Sequence, residues 1–254
     1  MTRVLVTGST DGIGAEIVRE LAAQGHQPVA HARSDPRRKE ALAHLPEGTA
    51  VVVGDLASLK STENLARQLA ELSGVDVVVH NAGFVSRAEE PRLTDDGIEE
   101  TLQVNLVAPY VLTALLPTPA RIVFVSSDSI VHAHLDLADL QLKGGWTAAS
   151  AYANSKLAVT TLAFGVARLR PHALVNAVHP GWVRTKMSGQ EAPLSVEQGA
   201  DSPTWLAVSQ DPAALVSGAL FHERHQVRLN EQAYEVTFQN GVLAACSSMT
   251  GLDL

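Results

Sequence analysis

The chain has 254 residues, with 27 acidic and 19 basic side chains and a formal net charge of −8. A chain of this length buries roughly 70–75% of the surface that its unfolded form exposes, enough for a full core without metal or disulfide staples. The single cysteine, Cys246, cannot form an internal disulfide, and the acidic balance argues against nucleic acid as a partner. No uncharged apolar run reaches the roughly 18 residues of a membrane helix, and none has the layout of a secretory signal. We therefore expect a cytoplasmic protein that has no membrane partner.

Short apolar runs alternate with amphipathic stretches of helix length, a pattern typical of βαβ units and a parallel sheet. The predicted strands are 3–7, 28–32, 50–53, 75–80, 121–126, 173–179 and 217–221. The sequence contains no internal repeat and no Gly/Ser linker. It therefore predicts an α/β fold, a Rossmann-like doubly wound parallel sheet of about seven strands with helices on both faces, forming one domain over residues 1–254.

Residues 128–150 form a connection longer than most loops of a compact domain, so we expect it to be functional or to carry local structure. Its apolar residues, together with two later ones, suggest an apolar pocket under a lid near 185–200; ordinary packing is the alternative reading. These residues are Leu135, Leu137, Leu140, Leu142, Trp146, Trp182 and Met187. The segment 223–254 shows a helical pattern around Phe238.

A glycine-rich turn follows the first strand and leads into a helix, with the sequence Thr7-Gly8-Ser9-Thr10-Asp11-Gly12-Ile13-Gly14. Glycines let the backbone turn sharply and approach a pyrophosphate, whose charge is met by amide N–H groups and the helix N-terminus. A plain strand-to-helix turn is the alternative, but the place at the first βα junction favours phosphate binding. No Gly-Lys-Ser or Gly-Lys-Thr follows, which excludes a Walker-type loop. The segment is also not the Gly-x-Ser-x-Gly of a serine hydrolase.

The spacing Thr-Gly-x-x-x-Gly-Ile-Gly resembles that of the short-chain dehydrogenases/reductases (SDRs), and the resemblance can be followed through nearly the whole chain. It implies that the turn binds a nicotinamide cofactor through Gly8, Ser9, Thr10, Asp11, Gly12, Ile13 and Gly14. It further implies that Asp55, followed by Leu56, meets the adenine ring, and that Asn81-Ala82-Gly83 belongs to the same site. From the residues alone, Asp55 could equally be a helix cap, and Asn81 a turn residue that braces the sheet.

The end of the second strand bears on which nicotinamide cofactor binds. NAD-selective enzymes place a carboxylate there for the ribose hydroxyls, and NADP-selective ones an arginine for the 2′-phosphate. This chain has Ala32, then Arg33 and Ser34, so NADP(H) is preferred and NAD(H) is the alternative. Asp11 works against this prediction, because a carboxylate near a 2′-phosphate repels it. A solvated surface arginine is the other interpretation of Arg33.

Tyr152 and Lys156 are four residues apart on a predicted helix, hence on one face and about 6 Å apart along its axis. A phenol is a poor acid or base near pH 7, and a nearby cation lowers its pKa by favouring the phenolate. The pair is therefore a candidate for general acid/base catalysis, with Lys156 also binding the cofactor ribose as the resemblance implies. The alternative is an exposed i,i+4 pair of side chains on an ordinary helix, without a catalytic role.

Two serines, Ser126 and Ser127, end the fifth predicted strand, where a side chain can point into the ligand crevice of a doubly wound sheet. The resemblance implies that Ser127 hydrogen-bonds the substrate oxygen, with Ser126 as the fallback. Tyr152 follows Ser127 by 25 positions, which exceeds the family's usual spacing. This insertion resembles that of the retinol-dehydrogenase-like and protochlorophyllide-reductase-like branches.

The resemblance also assigns Asn105 to a catalytic tetrad, with a side chain that interrupts a helix and holds a water for a proton relay to the lysine. From the residue alone, a mid-helix asparagine is more often solvated or packed. After the sixth strand, the family turn over the nicotinamide corresponds to Pro180 and Gly181, and the carboxamide would meet Val183 and Thr185.

The sequence thus predicts an NADP(H)-dependent oxidoreductase acting on a small to medium, apolar carbonyl or alcohol substrate, with catalytic residues Asn105, Ser127, Tyr152 and Lys156. The resemblance implies a homodimer or homotetramer. We expect no metal, because the ten histidines and one cysteine show no zinc-type spacing. The alternatives are the same chemistry with NAD(H) and a non-catalytic dinucleotide-sensing protein. A nucleotide-sugar epimerase or dehydratase is disfavoured, since it needs a larger C-terminal domain.

Overall fold

Strands and helices alternate along the chain in the structure, a computed structural model that describes residues 1–72 and 74–254. The strands are β1 (Arg3–Val6), β2 (Gln27–Ala32), β3 (Ala50–Val53), β4 (Val77–His80), β5 (Arg121–Val125), β6 (Leu174–Val178), β7 (Leu220–His222) and β8 (His225–Val227). They form one sheet in the order β3-β2-β1-β4-β5-β6-β7-β8, parallel throughout except for the pair of β7 and β8. The predicted doubly wound parallel sheet is confirmed.

Helices cover both faces of this sheet. They are α1 (Gly12–Ala23), α2 (Asp35–Leu42), α3 (Leu59–Glu71), α4 (Glu100–Leu102), α5 (Ala108–Leu115), α6 (Ala148–Leu169), α7 (Val196–Val208) and α8 (Val236–Thr250). A π-helical stretch, Gln103–Val107, joins α4 to α5. In the part of the chain that the structure describes, no helix has the length and apolarity to cross a membrane.

The valines of β4 show why the central strands are continuously apolar. Val78 packs into the core cluster formed with α3, α5, α6 and α8, whereas Val77 and Val79 pack into the cluster formed with α1 and α7. Successive side chains of a strand point to opposite faces, so a strand covered on both faces must be apolar at every position. Full burial of each valine contributes roughly 1.5–3 kcal/mol to folding.

An eighth strand extends the sheet beyond the seven that the sequence predicts. β7 and β8 are joined by a two-residue turn, Glu223 and Arg224, with φ values of 47° and 62°. Such turns favour Asn or Gly because both residues have positive φ, so this sequence carries no hairpin signal. The turn is held from outside the hairpin, since Arg224 Nε donates to Asp201 Oδ2 over 2.8 Å.

The insertion 128–150 packs against the C-terminal part of the chain. The side-chain amide of Asn230 donates to the carbonyls of Ile130 (2.8 Å) and Ala133 (2.9 Å). Leu135 exchanges hydrogen bonds with the side chain of Gln232. Three of the four leucines in the insertion join the core cluster on this side of the sheet, namely Leu135, Leu137 and Leu140. The expectation that they line a ligand pocket is therefore wrong for these residues, because the C-terminal segment supplies the apolar surface that they cover.

Replacing Asn230 by alanine tests this anchoring. Asn230→Ala should lower the free energy of unfolding by about 1–3 kcal/mol, because two carbonyls of the insertion lose their donor. Chemical denaturation followed by circular dichroism measures the change. Asn64→Ala, on the exposed side of α3, is the matched control and should stay within about 0.5 kcal/mol of the parent. Equal stability of the two variants would contradict the anchoring.

Candidate active site

A cavity of about 820 Å³ lies at the carboxyl ends of the parallel strands. It brings together most of the predicted site residues: Gly8, Thr10, Asp11, Gly12, Ile13, Gly14, Arg33, Asp55, Leu56, Asn81, Ala82, Gly83, Tyr152, Lys156, Pro180 and Thr185. The predicted residues that do not line it are Ser9, Ser34, Asn105, Ser127, Gly181 and Val183. Unpredicted residues that line it include His31, Arg37, Phe84, Val85, Arg87, Val104, Lys186 and Met187.

The glycine-rich turn is fastened to the segment after β4. The Asn81 side-chain amide donates to the carbonyls of Thr7 (2.9 Å) and Gly8 (3.1 Å), and the amide of Ala82 donates to the Thr7 hydroxyl (3.0 Å). Asn81 thus braces two strand ends, as the alternative interpretation predicts. A Cβ on Gly14 would lie 2.5 Å from both Asn81 Nδ2 and the Gly8 carbonyl oxygen. Only glycine fits this position without moving backbone.

The turn offers an anion three backbone donors. The first bond of α1 runs from the amide of Ala15 to the carbonyl of Asp11. The amides of Gly12, Ile13 and Gly14 precede it and have no protein acceptor in the described residues. Unpaired N–H groups at a helix N-terminus, with the helix dipole behind them, suit the phosphates of a dinucleotide.

Ser9 and Val183 support the site from within the protein. The Ser9 hydroxyl is fully buried, donates to the Val6 carbonyl (2.8 Å) and accepts from the amide of His31 (2.8 Å). Val183 is buried against Gly199 of α7, where a Cβ would meet Val183 at 2.7 Å and Ile13 at 3.3 Å. Both positions therefore shape the turn, and neither side chain is directed at the cavity.

Asp11, the residue that counts against a 2′-phosphate in the sequence, is neutralised by two cations. Its Oδ2 lies 2.7 Å from Nη2 of Arg37 and 2.9 Å from Nζ of Lys186. Partial burial acts to raise the pKa of Asp11, but Lys186 and Arg37 outweigh it and lower the pKa below its ordinary value. Arg33 is exposed at the cavity edge. The cavity lining holds five basic and three acidic side chains: Arg33, Arg37, Arg87, Lys156 and Lys186, against Asp11, Asp55 and Glu100.

Asp55 lies in the open, at the end of β3. Its carboxylate accepts the amide of Ala57 (3.0 Å), and its own amide donates to the Ser61 hydroxyl (2.7 Å). The N-cap of α3 is Ser58, which accepts from the Ser61 amide. Asp55 is therefore not the helix cap, and its carboxylate remains at the cavity edge.

Tyr152 of α6 lines the cavity, and Ser127, which follows β5 and lies outside the lining, is next to the Tyr152 hydroxyl. Ser127 begins a short 3₁₀ turn after β5, and its hydroxyl accepts the amide of Ser129 (3.2 Å). Burial raises the pKa of Tyr152, the adjacent Ser127 hydroxyl acts to lower it, and the charge of Asp128 raises it further. Ser126, the fallback in the sequence, does line the cavity, but its buried hydroxyl is engaged with the Thr160 hydroxyl at 2.7 Å.

Lys156 is buried, with 3% of its surface exposed, and its Nζ donates to the Val125 carbonyl over 2.8 Å. Burial lowers the pKa of Lys156 to about 8. Its Nζ lies 5.9 Å from the centre of the Tyr152 ring. The Tyr152 pKa is raised in this structure, the opposite of the direction that the Tyr-Lys pair predicts, because burial of the phenol is the largest influence on it.

Asn105 lies in the π-helical stretch, as expected for a residue that interrupts a helix. Its Oδ1 accepts the amide of Phe84 (2.7 Å), while Nδ2 donates to the Phe84 carbonyl and to the Ser155 hydroxyl, both at 2.9 Å. The side chain therefore ties the segment after β4 to α6, the helix that carries Tyr152. Because protein atoms accept both N–H groups of the Asn105 side chain, a relay water could bond to this side chain only by donating to its oxygen.

Residues 2–193 match the family model for short chain dehydrogenases. The chain belongs to the short-chain dehydrogenase family. Short-chain dehydrogenase chry4 of Gibberella zeae is 34% identical over 258 residues, which cover 100% of this chain and 99% of the relative. Carbonyl reductase (NADPH) 3 of Mus musculus is 31% identical over 267 residues, covering 87% and 95%. A blue fluorescent protein from a metagenomic library, crystallised with NADPH, superposes with a TM-score of 0.69 at 28% identity, covering 87% and 95%.

Three cavity residues of this short-chain dehydrogenase carry no sequence signal. His31 belongs to an otherwise apolar strand, Arg37 to an exposed basic run, and Lys186 to the segment after the Pro180 turn. Lys186 reaches Asp11 across 175 positions of sequence. Only the folded chain places them together. Among the described residues, no group of three His, Cys, Asp or Glu side chains is arranged to hold a metal ion.

The buried lysine should leave a signature in the pH dependence of stability. Because the Lys156 pKa falls from 10.5 to about 8 on folding, the unfolded chain binds more protons between these pH values, and Lys156 makes stability rise with pH there. From pH 8 to 10.5 the dehydrogenase should gain up to about 3 kcal/mol relative to Lys156→Met. Urea denaturation at several pH values measures this difference.

The control for this titration is Lys60→Met, which removes an exposed lysine of α3. Its difference from the parent should not vary over the same pH range. A difference between the parent and Lys156→Met that is independent of pH would show that the lysine is not held in a desolvated site.

Proposed function

We propose that the chain is an NADP(H)-dependent oxidoreductase that transfers hydride between the nicotinamide and a carbonyl or alcohol substrate, with Tyr152 as general acid/base. One observation carries this proposal: Tyr152 and Lys156 line the same cavity as the glycine-rich turn with its unpaired amides. Family membership supports the reaction class. Acid/base and cofactor-binding groups in one cavity are what hydride transfer requires.

The residues present fit a nicotinamide dinucleotide. Its pyrophosphate would be held by the amides of Gly12, Ile13 and Gly14, and its adenine end by Asp55 with Leu56. Asn81, Ala82, Gly83, Pro180, Gly181, Val183 and Thr185 would line or support the nicotinamide end. A Cβ on Gly8 would lie 2.8 Å from Ala82 Cα, so backbone closes this part of the cavity. When bound, the cofactor supplies or accepts the hydride.

The chain's own residues handle the proton. In the reductive direction, the Tyr152 hydroxyl donates its proton to the carbonyl oxygen of the substrate, and in the oxidative direction the Tyr152 oxygen takes the alcohol proton. Ser127 positions the substrate oxygen by a hydrogen bond. Lys156, buried with a pKa of about 8, brings positive charge to the phenol and donates to the cofactor ribose. Asn105 holds α6 in register with the segment after β4.

A preference for NADP(H) over NAD(H) is supported by the charges at the end of β2. Arg33 and Arg37 both line this part of the cavity, and Arg37, with Lys186, cancels the charge of Asp11. The Ser34 hydroxyl, which precedes α2 and is next to Arg33 in the sequence, would donate a hydrogen bond to the 2′-phosphate. The mouse carbonyl reductase is named for NADPH and the metagenomic protein was crystallised with NADPH, which points the same way.

The substrate would be small to medium and apolar. The side chains that line the cavity beyond the proposed nicotinamide end include Phe84, Val85, Val104 and Met187. Trp182, which the sequence suggests for this pocket, is 52% exposed and lies outside the lining. A cytoplasmic location and a single domain over residues 1–254, inferred from the sequence, belong to the same proposal, as does a homodimer or homotetramer, which rests on the family resemblance.

Removing the Tyr152 hydroxyl tests the chemistry. Tyr152→Phe should lower kcat at least about 100-fold while leaving NADPH affinity nearly unchanged, because the ring remains but the transferable proton is lost. NADPH oxidation with a panel of aldehydes, ketones and quinones measures turnover. Tyr234→Phe loses a phenol that bonds to the Val227 carbonyl outside the cavity, and should keep full activity.

Two outcomes would overturn this proposal. Full activity of Tyr152→Phe would remove the tyrosine from the reaction. Cofactor binding without turnover of any panel member would instead favour a dinucleotide-sensing protein.

Arginine substitutions test the choice of cofactor. Arg33→Ala and Arg37→Ala should each weaken NADPH binding roughly tenfold, since each removes a cation available to a 2′-phosphate, and should leave NADH binding nearly unchanged. Arg38→Ala is the matched control on α2, because Arg38 is exposed and faces Asp35 at 3.6 Å. Equal affinity for NADH and NADPH, together with unchanged NADPH binding in Arg33→Ala, would refute the preference.

A further inference from the structure

A buried histidine connects the glycine-rich turn to the end of β3. His31 of β2 is 2% exposed. Its Nδ1 lies 2.9 Å from the amide nitrogen of Gly8, and its Nε2 lies 2.7 Å from the carbonyl oxygen of Gly54. Its backbone is also engaged, since the amide donates to the Ser9 hydroxyl and the carbonyl accepts the Ser9 amide at 3.1 Å. One residue thus spans three chain segments at the site.

The two ring contacts determine the protonation state of His31. A backbone amide can only donate and a carbonyl can only accept, so Nδ1 must be bare and Nε2 must carry the hydrogen. The neutral Nε2–H form satisfies both partners. A second proton on Nδ1 would face the N–H of Gly8 and break that bond. Burial lowers the pKa of His31, while the Gly54 carbonyl and the charge of Asp55 act to raise it.

The ring contacts lie at the pyrophosphate part and at the adenine end of the surface proposed for the dinucleotide. Gly8 starts the turn whose later amides, from Gly12 to Gly14, are unpaired. Gly54 precedes Asp55, which lies at the proposed adenine end. The separation of these two points is set by the width of one imidazole. In addition, the bond to Nδ1 directs the N–H of Gly8 into the protein and leaves the anion to the amides of α1.

We propose that His31 is a positioning residue for the cofactor, whose neutral imidazole holds the glycine-rich turn at a set distance from the end of β3. This inference rests on the proposed function, because it concerns the affinity for NADP(H). His31 touches no reacting atom. Its contribution is to pre-order backbone that otherwise would have to be ordered at the cost of binding free energy.

Several charged side chains lie on the elements next to the His31 ring. Asp55 follows β3 and acts on the ring directly. Asp11 of the turn, Arg33 at the end of β2 and Arg37 of α2 line the same cavity.

Substitutions that keep one ring contact at a time test the proposal. In His31→Asn, the side-chain oxygen can take the place of Nδ1 and accept from Gly8. In His31→Gln, the longer side chain can take the place of Nε2 and donate to Gly54, but Gly8 loses its acceptor. We expect NADPH to bind at least about tenfold more weakly to His31→Gln and His31→Phe, because the buried N–H of Gly8 is left unpaired, and about threefold to tenfold more weakly to His31→Asn, which still holds Gly8 but has lost its link to Gly54.

The pH profile gives a second readout that does not depend on comparing affinities at one pH. In the parent, protonation of His31 competes with the bond from Gly8, but burial holds the His31 pKa below its ordinary value of 6.5. The Kd for NADPH should therefore rise above that of His31→Asn, which cannot be protonated, only as the pH falls below 6.5, and the two should run in parallel above it. Any titration of NADPH itself affects the parent and His31→Asn equally, so it cancels when their Kd values are compared. Fluorescence titration with NADPH at each pH supplies the values.

The matched control is His80→Gln. His80 is also a buried histidine of a central strand, stacks on Phe124, and contacts the Thr113 hydroxyl at 3.1 Å, outside the cavity lining. It should lower the thermal midpoint without changing the Kd for NADPH. A variant of His31 that loses stability but keeps the parent's Kd would show an ordinary core role and overturn the proposal.

The remaining outcomes separate this inference from the proposed function. If the parent binds NADPH, and the Asn and Gln variants both bind it as tightly as the parent and with the parent's pH profile, the positioning role alone is refuted. If the parent binds neither NADPH nor NADH, the proposed function itself fails. Should His31→Phe not fold, the Asn and Gln variants, which each retain one polar contact, decide the matter together with the pH profile.

Discussion

The contact between the ends of β1 and β4 is the constraint on which the site depends. These strands are parallel neighbours, and the amide of Thr7 donates to the carbonyl of Val79 over 3.0 Å. Asn81 then bonds back to Thr7 and Gly8, which leaves no room for a side chain at Gly14. The start of α1 and its unpaired amides follow from that approach. Asn105 extends the same support to α6, so the groups proposed for cofactor and substrate share one framework.

Burial is the main source of the site's electrostatics. It raises the pKa of Tyr152 and lowers that of Lys156, because the phenol is charged when it has lost its proton and the ammonium when it holds one. The net charge of −8 does not describe this environment, since the cavity lining carries more basic than acidic side chains. The charges that line the cavity, and not the net charge of the chain, therefore bear on the proposed binding of an anionic cofactor.

Some features of the site could be predicted and others could not. The glycine spacing of the turn and the Tyr152–Lys156 pair lie within short stretches of sequence, where periodicity relates position to geometry. The contact of Lys186 with Asp11 joins residues 175 positions apart, and nothing local indicates it. The hairpin turn at Glu223 and Arg224 adopts positive φ without Gly or Asn, supported by tertiary contacts such as the pairing of Arg224 with Asp201.

By itself, the sequence determined the layered α/β architecture, because uninterrupted apolar runs such as that of β4 can be buried only in a sheet covered on both faces. It also determined the glycine-rich turn after β1 and the helical spacing of Tyr152 and Lys156. The tertiary structure alone decided that three leucines of 128–150 join the core cluster that includes the C-terminal helix, that the Ser126 hydroxyl bonds to Thr160, and that His31 bonds to Gly8 and Gly54. Each of these depends on which distant residue supplies a surface or a hydrogen-bond partner, and a local pattern holds no information about that partner.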